Sequence, residues 1–173
     1  IDKAVRRKKK PVGSSWRMDE TYIRLNGKWI YLYRAVDKEG DTIDFLLRAK
    51  RDAIAAKAFF RKTFKHNKIP EKITVDKSGS NKAALDFFNK KLLEEGREEK
   101  QYKIRQIKYL NNIVEQDHRF VKKRTKPMLG FKNFYSAKNT ISVIENIRMI
   151  QKGQIFGFNI KKSVFENYAA LMA

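Results

Sequence analysis

The 173-residue chain is about the length of one domain and carries 40 Lys and Arg against 19 Asp and Glu, a formal net charge of +21. Such an excess points to a polyanionic partner, while 42% hydrophobic and 12% aromatic residues exclude a disordered basic tail and require a core. With no Cys and only two His, disulfides, cysteine-ligated zinc and His-rich metal sites are excluded. No apolar run approaches the roughly 18–20 residues that a bilayer span needs, so no membrane partner is expected. The chain opens on Ile1 without a signal-peptide pattern and is expected to be a piece of a longer protein.

Residues 1–14 read as a basic linker or arm rather than a packed element, with Arg6, Arg7, Lys8, Lys9 and Lys10 either solvated or on DNA. Aromatic and β-branched residues then predict three antiparallel strands, Trp16–Leu25, Lys28–Asp37 and Asp41–Lys50, with a tight turn at Asn26-Gly27. An alanine- and phenylalanine-rich stretch predicts a helix over Asp52–His66. A short apolar strand, Lys72–Val75, ends at Asp76. The next helix, Ser80–Glu94, has an inner stripe of Ala84, Leu85, Phe88 and Leu92. After the acidic loop Glu94–Glu99 come a fifth strand, Tyr102–Ile107, and two helices, Asn112–Lys123 and Ser136–Gln151. The order predicts a mixed α/β sheet whose faces the helices must cover.

Three acids stand out. Asp19 interrupts a strand among Trp16, Met18 and Tyr22, where acids are depleted. Asp76 stands at the carboxyl end of a strand, where open α/β sheets bind ligands. Glu115 shares a polar helix face with Asn111, Asn112, His118, Arg119 and Lys122, opposite Ile113, Val114, Phe120 and Val121. Each also has a structural account. Asp19 could pair with a buried Arg, or Glu20 could be the functional acid; Asp76 could cap the turn or the next helix; Asn112 to Glu115 fits a capping box. Three converging carboxylates, however, repel one another unless cations neutralise them or one takes a proton. Hard oxygen donors suit magnesium or manganese, and two such ions could drive in-line phosphoryl displacement.

The segments Trp16–Tyr22, Tyr31–Asp37, Thr74–Ser78 and Tyr109–Arg119 resemble the catalytic domain of bacterial insertion-sequence transposases, most closely the insertion sequence six family. The likeness runs from about Arg6 to Gly157. It implies a ribonuclease-H-like, retroviral-integrase-like fold with a five-stranded mixed sheet and helices on both faces. It also implies a catalytic and metal-binding triad, matched by Asp19, Asp76 and Glu115, with two Mg2+ or Mn2+ ions, and a basic residue matched by Lys122. The implied activity is 3′-end nicking and strand transfer of insertion-sequence ends into target DNA, in the bacterial cytoplasm beside the nucleoid. Double-stranded DNA, both transposon ends and target, and further copies of the chain in a dimer or higher multimer are the implied partners. Glu115 follows Asp76 by 39 positions, longer than the family leads one to expect, and the acidic loop can absorb the excess. The family's amino-terminal helix-turn-helix region has no counterpart in this sequence.

His118 to Lys162 holds 11 Lys and Arg and one acid, Glu145, and is the candidate phosphate-contacting surface. The expected DNA contacts are Lys77, Ser78, Tyr109, Asn112, His118 and Arg119, with Lys122, Lys123, Arg124 and Lys126 beyond them. Turn chemistry is the plainer account of Lys77 and Ser78, core packing that of Tyr109, and a surface site that of His118. Trp16 and Trp29 are expected to pack on the sheet. Residues 15–157 are expected to form the core and 158–173 a tail. Two rival functions share these features: a ribonuclease-H-like structure-selective nuclease, and a non-catalytic basic DNA-binding module.

Overall fold

Strands β1 (Ser15–Leu25) and β2 (Lys28–Asp37) are joined by Asn26-Gly27, at φ 47° and 75°, so the predicted tight turn forms where both residues tolerate the left-handed region. The computed structural model describes residues 2–107, 112–158 and 161–172. Helix α1 (Asp2–Arg7) precedes the hairpin, and β3 (Thr42–Arg48), α2 (Ala53–His66), β4 (Lys72–Val75), α3 (Gly79–Glu94) and β5 (Lys103–Gln106) follow it. Helices α4 (Asn112–Thr125), α5 (Phe134–Gln151) and α6 (Val164–Met172) complete the order. Local chemistry sets several starts: the Asp52 carboxylate accepts from the Ala55 N–H at the head of α2, and Asn133 accepts from Ser136 at the head of α5. Among the described residues, no helix is long and apolar enough to cross a membrane.

The five strands form one sheet in the order β3-β2-β1-β4-β5, with β3, β2 and β1 antiparallel and β1, β4 and β5 parallel. Side-chain alternation divides the core between the two faces. Trp16, Met18, Tyr33 and Ala35 pack under α2 and α3, whereas Ile23, Leu32, Phe45 and Leu47 pack under α4 and α5. The result is the five-stranded mixed sheet with helices on both faces that the resemblance implies.

Residues 2–7 correct one expectation. They are helical, and Val5 is fully buried beside Met149, Ile150 and Ile155. The run of cations hides this single apolar anchor from a charge-based reading. Its cations are also engaged: Arg6, together with Lys62 of α2, meets the buried Asp44 carboxylate, at 3.1 and 2.8 Å respectively, and Lys9 Nζ donates to the Ile43 carbonyl at 2.5 Å. Burial works to raise the Asp44 carboxyl, but Lys62 and Arg6 outweigh it and hold it below the ordinary carboxylate range.

A second charged cluster ties the helices to the sheet. Arg34, in the middle of β2 and without solvent exposure, meets the Glu145 carboxylate of α5 at 2.9 and 2.7 Å and Asp117 of α4 at 3.3 Å. Asp117 also takes Arg148 at 3.2 Å and is bound by Lys152. Burial works to raise Asp117, yet Arg34, Lys152 and Arg148 together hold it low. Arg148 and Lys152 therefore serve the fold, and the basic segment presents fewer cations to DNA than its composition implies.

Two outcomes follow for stability. Arg34→Met should cost about 3–5 kcal/mol in denaturant unfolding by stranding Glu145, and adding Glu145→Leu should recover part of that loss. Asp44, with its depressed carboxyl, contributes stability that is present at neutral pH and lost on acidification below its unfolded value near ~4. Asp44→Asn should thus lower the melting temperature at pH 7, with the deficit shrinking below about pH 4.

Candidate active site

Strand β4 is short, and that shortness builds the site. Arg17 pairs with Thr74, and continuing this parallel register sets Asp19 opposite Asp76, where β4 has just ended. Asp19 is the cross-strand partner of Arg34 and so faces α4, while its neighbour Glu20 pairs with Tyr33 and turns toward α2. Asp76, at the end of its strand, is approached from both sides. One carboxylate oxygen from each of Asp19, Glu20 and Asp76 can be chosen so that all three lie within 4.8 Å of one another.

The surroundings are built for negative charge. Arg51, in the loop before α2, meets Asp76 at 3.0 Å and Glu20 at 3.5 Å. Asp76 Oδ1 accepts from the Ser78 N–H at 3.1 Å and from Asn81 Nδ2 at 3.2 Å, so Asp76 does cap its turn, while Oδ2 remains directed at Arg51. Glu20 is almost fully buried, and neither of its oxygens accepts a hydrogen bond. Burial raises its carboxyl, and Arg51 only partly opposes the shift. Asp19 is pushed up to about 7, first by burial and then by the charges of Glu20, Asp76 and Glu115.

Glu115 lies outside the close cluster. It is exposed near the head of α4, and with Asp19, Glu20, His118, Arg119 and Lys122 it lines a cavity of about 280 Å³. Lys122 therefore shares the cavity with Glu115, as helical spacing leads one to expect. His118 is buried, not a surface residue; its Nδ1 stands 3.9 Å from Asp19 Oδ2, and burial, Arg34 and Lys122 push it down to about 3, so it is neutral. Arg119, Lys122, Lys123, Arg124 and Lys126 are exposed along α4 and the turn after it. Lys77 is exposed beside Asp76, and the Ser78 hydroxyl is shared with Ser80 at 2.8 Å. Tyr109 lies outside the described residues, as does the side chain of Asn112. Of the two tryptophans, Trp16 is buried in the sheet core as expected, but Trp29 is 57% exposed. It sits next to the hairpin turn, beyond the cover of the helices.

The donor set fits a divalent cation. All the atoms are hard carboxylate oxygens, and the raised Asp19 and Glu20 carboxyls mark negative charge that Arg51 alone does not balance. Sequence reasoning did not single out Arg51, Asn81 or Arg34. Arg34 had a signal, as the one cation in the interior of β2, among apolar residues. Arg51 and Asn81 had none, being ordinary polar residues in a loop and a first helical turn.

Comparison with known proteins agrees with this fold. The family described as a DDE domain matches residues 13–154. A Staphylococcus aureus transposase for the insertion sequence-like element IS431mec is 38% identical over 164 residues, covering 89% of this chain and 67% of the relative. The S. aureus transposase of insertion sequence element IS257 matches equally well. In fold, the catalytic core of HTLV-2 integrase, solved with magnesium, is similar at a TM-score of 0.57 and 13% identity, over 92% of this chain and 98% of that one. The catalytic core of BIV integrase is similar at 0.54 and 12%, over 91% and 95%. With a family match across most of its length, the chain belongs to the DDE transposases of the insertion sequence six family, enzymes whose catalytic domain has this ribonuclease-H-like fold.

Proposed function

We propose that this domain nicks the 3′ ends of an insertion sequence and joins them to target DNA, with Asp19, Asp76 and Glu115 as its catalytic, metal-holding residues. The observation that carries this is the side-by-side placement of Asp19 and Asp76 at the end of β4, with Glu115 on the wall of the same cavity. Two Mg2+ or Mn2+ ions, when bound, polarise the phosphate and stabilise the charge that develops on the attacking and leaving oxygens. The magnesium bound to the HTLV-2 integrase core supports that choice of ion.

The chain's own residues do the rest. Arg51 orients Asp76 and keeps Glu20 from repelling it. Neutral His118 fills the space behind Asp19 without adding a competing cation. Lys122, with Arg119, Lys123, Arg124 and Lys126, holds the phosphate backbone along α4, and Lys77, Ser78, Tyr109, Asn112 and His118 are further DNA contacts in this reading. In the first step water displaces the 3′ oxygen at the transposon end. In the second the freed 3′ hydroxyl attacks a target phosphate, one P–O bond forming as another breaks, with no covalent protein–DNA intermediate.

Residues 15–157 form the catalytic core in this reading, between residues 1–14 and the tail 158–173. The domain acts on paired ends as a dimer or higher multimer, in the bacterial cytoplasm beside the nucleoid. Dimeric and trimeric forms of the HTLV-2 core support assembly of such folds into multimers.

Asp19→Asn, Asp76→Asn and Glu115→Gln should each lower strand joining of pre-cut ends by about 10³-fold or more, while DNA affinity stays level or rises. Glu20→Gln should retain far more joining than Glu115→Gln; the reverse ranking would move the third catalytic carboxylate to Glu20. Arg51→Gln should tighten Mn2+ binding about 2- to 5-fold in a DNA-free titration, because a competing cation is removed.

A further inference from the structure

Beyond the end of β4, strand β1 runs on, paired to β2 on one side but without a strand neighbour on the other. Val75 is the last residue of β4, whereas β1 continues to Leu25, where Phe131 pairs with it. The stretch of that edge from Asp19, opposite Asp76, to Leu25, where Phe131 closes it, spans about 20 Å. Alongside it lies a groove of about 990 Å³, whose walls include Tyr22, Arg24 and Trp29 on one side and Lys122, Lys126 and Leu129 on the other. Tyr22 and Lys122 also line the carboxylate cavity, so the groove adjoins the candidate active site.

The groove is held in shape rather than left to collapse. The Asn26 N–H donates to the Phe131 carbonyl and the Phe131 N–H to the Arg24 carbonyl, both at 2.8 Å. Between them Gly130 passes so close, at φ 98°, that a Cβ there would stand 3.1 Å from the Arg24 carbonyl oxygen. Leu129 holds a left-handed φ of 54° and is 92% exposed, an uncommon backbone state that turns an apolar side chain outward at the rim. Trp29 is 57% and Tyr22 48% exposed, their rings 6.1 Å apart, with the Arg24 guanidinium 5.6 Å from the Trp29 ring.

Aromatic faces left open to solvent, interleaved with cations, suit stacked bases joined by phosphates. Inside a duplex the bases stack on one another and leave no ring face open along its length. We infer that this groove holds unpaired nucleotides of the DNA strand next to the reacting phosphate, with Trp29 as the stacking platform and Lys122 and Lys126 on the backbone. The inference rests on the proposed function for its account of why frayed DNA arrives here, but its binding contrast does not depend on catalysis.

The test uses the full chain in chelator, with a blunt duplex and the same duplex carrying a five-nucleotide unpaired end. Because Trp16 is buried, Trp29 dominates any solvent- or ligand-sensitive emission. The unpaired end should quench that emission and the blunt duplex should not. Trp29→Ala should weaken binding of the frayed DNA about 5- to 100-fold, leave the blunt duplex within a factor of two, and be largely rescued by Trp29→Phe. Equal quenching by both DNAs, or a Trp29→Ala loss that is equal for both or absent, overturns the inference. Failure of the unaltered chain to join strands in Mg2+ would instead count against the proposed function, with this contrast still readable.

Discussion

One buried guanidinium organises the molecule. Arg34 has no solvent exposure, lies directly across from Asp19 on β2, and is engaged by Glu145 of α5 and Asp117 of α4. An isolated charge in such a place is prohibitively costly, so the two helices must approach the sheet in the one arrangement that brings their carboxylates to it. Asp117 stands two positions after Glu115 on α4. The contact that neutralises Arg34 therefore also fixes the part of the helix that carries Glu115 to the cavity. Packing of Val121 and Ile141 supplies adhesion, which is non-directional; the ion pairs supply the register.

Around that anchor, charge is sorted by place. Acids converge where β4 stops, and cations line α4 and the turn beyond it. Asp19, Glu20 and Asp76 are tolerated as neighbours only because Arg51 stands against two of them, and even so Asp19 is pushed up to about 7. The same short β4 that places Asp76 leaves the edge of β1 open, so the candidate active site and the aromatic groove beside it have one structural cause.

Much of this was legible in the sequence, for identifiable reasons. Alternation and the Asn26-Gly27 turn marked the hairpin, and the alanine-phenylalanine stripe marked α2, because these signals are local. Asp19 and Asp76 stood out because acids sit poorly in or at the end of apolar strands. Tertiary facts were hidden. A charge run concealed the burial of Val5, and composition counted Arg148 and Lys152 as surface cations although Asp117 engages both. Trp29 was expected to pack on the sheet; the reach of α2 and α3, which no local pattern encodes, leaves it bare. The proximity of Glu20 to Asp76 likewise depends on where β4 ends.

The central claim is that carboxylates from β1, β4 and α4 hold divalent cations together, and the most direct measurement is anomalous diffraction from a crystal of this chain soaked in Mn2+. The account predicts ion density within bonding range, about 2.0–2.3 Å, of Asp19 and Asp76 oxygens, with Glu115 ligating an ion at the same site. Manganese bound only elsewhere, or bound by Asp76 and Glu20 with Asp19 and Glu115 both turned away, would contradict it.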